Sequence, residues 1–265
     1  KVVEFTHMVM GPTAGVILGD LGADVIKVEP LKGDNTRRLK GSGAGYFPMY
    51  NRNKRSIALD LKHPKGLDVA RQLIQSADIV LENFRTGTMA KLGLDYESLK
   101  ADHPGLIYCS LKGFLSGPYE NRVALDEVTQ MMGGLAYMTG LPDRPLRAGS
   151  SVIDITGGMF GVIAILSALH RRRETGEGSH VTSALFETTA FLVGQHMAQQ
   201  AVSGDAPPPM SVRQSAWAVY DIFELNSGER LFVGIVSDSL WQRLCEEFGL
   251  TNWAADVTLA SNAGR

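Results

Sequence analysis

At 265 residues the chain is long enough to bury a large core and exceeds one average domain. Its 26 Lys and Arg against 28 Asp and Glu leave a net charge of −2, so no basic excess argues for nucleic acid or an anionic membrane as partner. Cys109 and Cys245 lie far apart and outside any CxxC pair, which argues against a disulfide framework or thiolate zinc site and predicts reduced, buried thiols in a cytoplasmic protein.

Residues 1–115 alternate strand and helix patterns. VVEF (2–5) reads as a short buried strand, and GPTAG (11–15) as a turn before a helix that passes Leu18 and Leu21 and stops at Gly22. VIKVEP (25–30) is a second strand, ended by Pro30, and SIALDL (56–61) a third. Between them GSGAG (41–45) lacks the Gly-Lys-Ser/Thr and the strand-to-helix setting of a phosphate loop, and reads as a flexible loop. Pro64 opens a helix over KGLDVARQLIQSA, DIVLENF (78–84) is a strand, MAKLGLDYESLKADHP (89–104) is helical, and GLIYCSLKGF (105–114) is a further strand. Such alternation predicts a parallel sheet covered on both faces, a Rossmann-like α/β fold.

Two more helices are expected over 126–140 and 157–173. Arg171, Arg172 and Arg173 complement the second helix's dipole as a capping and solubility feature, and Gly176 and Gly178 end it. Its apolar run, Gly157 to Leu169, is shorter than the roughly 20 residues that cross a bilayer, so no membrane span is expected. Residues 179–202 give a short strand and a long helix. The prolines of GDAPPPM (204–210) mark a linker. Beyond it AVYDIFEL and ERLFVGIV (218–236) form a hairpin around Asn-Ser-Gly, followed by a helix over 239–250. The expected organisation is a Rossmann-like large domain over 1–205, then, over 206–265, a linker and the start of a smaller α+β domain that is truncated. Lys1 enters VVEF with neither initiator Met nor signal-peptide pattern, and the chain stops at SNAGR; both ends are expected to be cut.

Asp154 stands out chemically, as a lone acid between Ile153 and Ile155 at the head of a glycine-led apolar helix. An ionised carboxylate there is costly without partners or a task. It reads either as a helix N-cap or, if the chain binds a thioester, as a carboxylate nucleophile. With an ordinary pKa of ~3.9 it would be ionised at pH 7 and need no general base. No GxSxG and no His pair spaced around a Glu occurs, so neither a serine nucleophile nor a metal is expected. Arg37 and Arg38 after GDNT, Lys62 after the third strand, ENFR (82–85) after the fourth and Lys91 one helical turn later belong to strand-exit loops. In an open α/β sheet those loops converge on the ligand edge, where such cations suit a multiply phosphorylated nucleotide.

On these segments the chain resembles the family III CoA-transferases, which include formyl-CoA transferase, carnitine CoA-transferase and the α-methylacyl-CoA racemases. The resemblance is carried by FTHMVMGP, LGADVIKVEP, GDNTRR, NRNKRSIALDLK, DIVLENFRTGTMAKLGL, the GG after Met132, and VIDITGGMFG with LSALHRRRETGEG. It implies a Rossmann-like large domain joined to a small one, an interlocked homodimer, and a chain that continues past residue 265. It implies Asp154 as nucleophile, and places Arg37, Leu59, Lys62, Asn83, Phe84, Arg85 and Lys91 on the adenine and phosphates of CoA. Asp126, grouped with that set, is usually Glu in formyl-CoA transferases and is expected near the nucleophile, while His7, Val9 and Gly11 border the acyl pocket.

The function so implied is transfer of CoA from an acyl-CoA to a small free carboxylic acid, through an aspartyl mixed anhydride and an aspartyl–CoA thioester. CoA is substrate, with no tightly bound cofactor and no metal, and oxyanion donors are expected from glycine N–H groups, some in a loop beyond the linker. Racemase or epimerase, acyl-CoA hydrolase and a CoA-binding scaffold are the alternatives. Val9 stands where formyl-CoA transferases carry Gln, which disfavours formate–oxalate exchange. With Met8, Met10 and Met49 it suggests a less polar pocket, or equally plain packing. Leu125 stands where racemases carry His, and Leu cannot move a proton.

Overall fold

The computed structural model describes residues 1–213 and 215–265. The chain divides into two units, Lys1–Ser211 and Val212–Arg265.

In the first unit β1 (Val2–Phe5), β2 (Val25–Glu29), β3 (Lys54–Ala58), β4 (Ile79–Glu82), β5 (Ile107–Lys112) and β6 (Ser179–Ala184) form one sheet in the order β3-β2-β1-β4-β5-β6. All five pairings are parallel. Single-residue alternation sorts the side chains between two cores. Val2, Val25, Leu81 and Cys109 meet α1 (Met10–Asp20) and α8 (Val152–Thr175) on one face. Val3, Phe5, Val80 and Tyr108 meet α3 (Pro64–Gln75) and the short α4 (Thr88–Lys91) and α5 (Tyr96–Leu99) on the other. Strand order reverses between β1 and β4, so the crevice outside their carboxyl ends is the expected ligand site of such a sheet. The remaining helices of this unit are α2 (Tyr46–Tyr50), α6 (Asp126–Met132), α7 (Leu135–Thr139) and α9 (Leu185–Ser203).

Several local expectations change. GPTAG is not a turn: it lies inside α1, whose first turn tolerates Pro12. Gly15 is required there by close approach, since a Cβ would fall 1.7 Å from Glu4 Oε2. GSGAG forms a 3-10 helix, Gly41–Gly45, rather than an irregular loop. The helical stretches over 89–104 and 126–140 each break into two, the second at Gly133-Gly134. The apolar helix begins before Asp154 and carries Arg172 and Arg173 within its last turn. At 24 residues α8 is, among the described residues, long and apolar enough by composition to cross a membrane. Its Ile153, Val162, Ile165 and Ala168 are nevertheless buried in the core shared with α1 and the sheet. Arg172 does more than cap: it donates to Gly105 O at 2.9 Å and pairs with Asp78 at 3.0 Å, tying α8 to the sheet.

The second unit holds the antiparallel pair β7 (Val219–Glu224) and β8 (Arg230–Ile235), then α10 (Asp238–Glu247) and α11 (Thr251–Ala255). A small core of Ile235, Trp241 and Cys245 joins them. Both cysteines are buried and unpaired, as their spacing suggested.

Candidate active site

Three strands carry buried glutamates at or next to their last residue, and each has its own cations. Glu4 of β1 accepts from Lys54 at 2.9 Å and lies 3.4 Å from Lys27, which also donates to the Thr6 carbonyl at 2.7 Å. Glu82 of β4 pairs with Lys112 at 2.6 Å. Glu29 of β2 accepts from Arg37 at 2.7 and 2.8 Å and from Ser56 at 2.7 Å. Burial works against its charge, but hydrogen bonds from Arg37, Ser56 and the Asp34 amide prevail and hold the carboxyl down to about 2. These pairs fix the loops that leave the sheet at the crevice. They were not anticipated from sequence, although the recurring Glu near the strand ends of VVEF, VIKVEP and VLENF was a visible signal.

At the switch point the loops after β1 and β4 bind each other. The His7 amide donates to Asn83 Oδ1 at 2.9 Å, Asn83 Nδ2 donates to the His7 carbonyl at 2.8 Å, and the His7 ring stacks on Phe84. Met8 then takes φ +64°, a left-handed conformation that is strained for a side chain of its size. That kink turns the chain into α1, whose N-terminus has no side-chain cap. The Met10 N–H instead lies near the Asp154 carboxyl and favours its charged form.

Asp154 lies in the first turn of α8 and does not cap it. The cap comes from Asp126 on α6, whose Oδ2 accepts the Ile153 and Asp154 amides at 2.8 and 3.0 Å. Asp126 Oδ1 is taken by Gln130. Freed from capping, the Asp154 carboxyl faces a cavity of about 330 Å³ lined also by His7, Val9, Met10, Tyr46, Leu125, Arg147 and Leu185. Burial and then the Asp126 charge push it up to about 7, against the pull of Arg147 and the Met10 N–H. Desolvation therefore outweighs the helix N-terminus, and the carboxyl keeps its proton to higher pH than the ordinary aspartate expected from sequence. α1 and α8 cross closely enough to make this contact because a Cβ on Gly158 would fall 2.7 Å from the Met10 carbonyl.

A neighbouring cavity of about 400 Å³ shares His7, Asn83, Lys112 and Leu125 with the first and adds Phe84, Arg85, Thr86 and Arg122. The structure thus brings together His7, Val9, Asn83, Phe84, Arg85, Asp126 and Asp154. Gly11 is buried under Thr6 and Asn83 rather than lining the cavity. Arg37 is held by Glu29 and lies over the Phe47 ring, Leu59 packs on the second core, and Lys62 and Lys91 are exposed; none of these four lines either cavity. Tyr46 and Arg147, which do line the cavity, had no motif to mark them. No group of His, Cys, Asp or Glu among the described residues could hold a metal ion.

A model of CoA-transferase family III matches residues 1–265. The chain is 37% identical to a succinate–glutarate CoA-transferase of Agrobacterium fabrum, covering 100% of this chain and 69% of the relative. It is 35% identical to an acetyl-CoA:oxalate CoA-transferase of Acetobacter aceti, over 100% and 69%. A CAIB/BAIF family protein from Brucella suis superposes with a TM-score of 0.84 at 39% identity, over 100% of this chain and 72% of that one. A hypothetical protein from Mycobacterium tuberculosis gives 0.84 at 30%, over 100% and 72%.

Proposed function

Because the chain belongs to CoA-transferase family III, we propose that it moves CoA from an acyl-CoA to a free short-chain carboxylic acid, with Asp154 as the nucleophile. The Asp154 carboxylate attacks the thioester carbonyl, the C–S bond breaks, and a mixed anhydride and CoA thiolate result. The thiolate attacks the Asp154 carbonyl, releasing the first acid and leaving an aspartyl–CoA thioester. The acceptor carboxylate attacks that thioester, the returning thiolate takes the new acyl group, and Asp154 is regenerated. One observation carries the reading: a carboxyl lining a cavity at the sheet's carboxyl edge, beside the N-terminus of α1. The Met10 N–H there is placed to stabilise an oxyanion on the aspartyl carbonyl.

CoA itself runs along Asn83, Phe84 and Arg85, with Lys62, Lys91, Leu59 and the remaining Arg37 donor serving adenine and phosphates from the adjoining loops. Val9 is buried in the wall and offers no amide, which weighs against formyl or oxalyl groups; Leu125 at the cavity carries no proton, which weighs against racemisation. The first unit is the large domain and the second belongs to the small one, and the protein works in the cytoplasm as an interlocked homodimer. Incubating the full-length protein with acyl-CoA and hydroxylamine tests the nucleophile. A hydroxamate on Asp154 is expected, and a label on another residue would move the chemistry away from it.

A further inference from the structure

Resting on that reading, we infer that the acyl groups handled here are short dicarboxylic ones, their far carboxylate held by Arg147. Arg147 lines the same cavity as Asp154 and is near enough to pull on its ionisation. Its position is anchored from both sides: the Leu146 amide donates to the Ala136 carbonyl at 2.9 Å and the Ala148 amide to Gln130 Oε1 at 2.8 Å. Nε is satisfied by the Ala148 carbonyl at 3.2 Å.

The two terminal nitrogens are not satisfied. Nη2 stands 3.9 Å from Asp126 and Nη1 3.7 Å from Glu127, beyond hydrogen-bond distance, and neither donates a hydrogen bond among the described residues. Asp126 is held 3.9 Å from the guanidinium by the bonds its oxygens accept from Ile153, Asp154 and Gln130. Glu127 is mostly exposed and readily displaced. The other lysine or arginine on this cavity, Lys112, is committed to Glu82 and the Phe84 carbonyl. What remains is a forked cation with two free donors, suited to bidentate carboxylate binding. Val9, Leu111, Leu125 and Leu185 supply apolar wall for the intervening methylenes.

The test compares succinyl-CoA with butyryl-CoA, of equal carbon number, as donors to acetate in the full-length protein. The wild type is expected to favour succinyl-CoA in kcat/KM by roughly tenfold or more, the order of one charge-assisted pair. Arg147→Met should raise KM for succinyl-CoA and erase the preference, any further loss through the ionisation of Asp154 falling on kcat for both thioesters alike, and Arg147→Lys should partly restore discrimination. A wild type that uses both thioesters equally overturns the substrate class while leaving CoA transfer intact. So does an Arg147→Met loss that falls equally on both, which would make Arg147 a positioning residue for Asp126. Absence of exchange from either thioester overturns the transferase reading itself.

Discussion

Asp154 carries opposite consequences for catalysis and for stability. In the proposed mechanism it attacks as the carboxylate, so kcat/KM should rise with pH through about 7 and then level off. The folded protein binds this proton more tightly than the unfolded chain does. Stability is therefore lost as pH climbs from the ordinary 3.8 and the loss is complete above about 7. Asp154→Asn should thus abolish exchange, leave CoA binding in place, and raise stability above pH 7 by on the order of 2 kcal/mol, with no gain below pH 4. Thermal unfolding across pH and a CoA titration read the two effects; a variant destabilised at pH 8 would contradict the linkage. Asp154 was legible in sequence from its lone placement among β-branched neighbours. Its protonation was not, because burial and the proximity of Asp126 arise only when α6 packs beneath α8. Arg37 shows what loop position leaves out: it suggested phosphate, and in the structure a glutamate on the adjacent strand already accepts from its Nε and Nη2.

The elements meet at the site through one borrowed cap and one missing side chain. Asp126→Ala should uncap α8 and cost about 1 kcal/mol or more, while Asp126→Asn keeps an acceptor and costs less. Both remove a negative neighbour, so the pH–rate curve of Asp126→Asn should move to lower pH. An unmoved curve would mean that burial alone sets the ionisation of Asp154. Gly158→Ala should force α1 off α8, costing about 1–3 kcal/mol and withdrawing the Met10 N–H, so kcat falls at unchanged CoA affinity. Strands were readable from short β-branched runs, and the helix cores from their apolar spacing. Ends and breaks were not: GPTAG looked like a turn because two glycines and a proline usually make one, yet here they let a helix lie against a charged sheet.

For the whole molecule, α8 and α9 leave Ile163, Phe191 and Val202 exposed at 57%, 71% and 90%, apolar side chains of the kind that a homodimer would cover. Sedimentation should give two copies per particle, and Phe191→Glu should shift the population toward single chains. A wild type that sediments as a monomer at micromolar concentration would remove the dimer. The alternation of the chain made the parallel sheet legible, but partner surfaces leave no periodic trace. The strand order also has a temporal side. β1 to β5 are complete by residue 112 through short crossovers, whereas β6 returns only after an excursion over 113–178 that contains Asp126, Arg147 and Asp154. During synthesis the crevice loops can therefore settle before the nucleophile has an edge strand to pack beside. The carboxyl proposed to react is thus placed only after the loops that would hold its substrate.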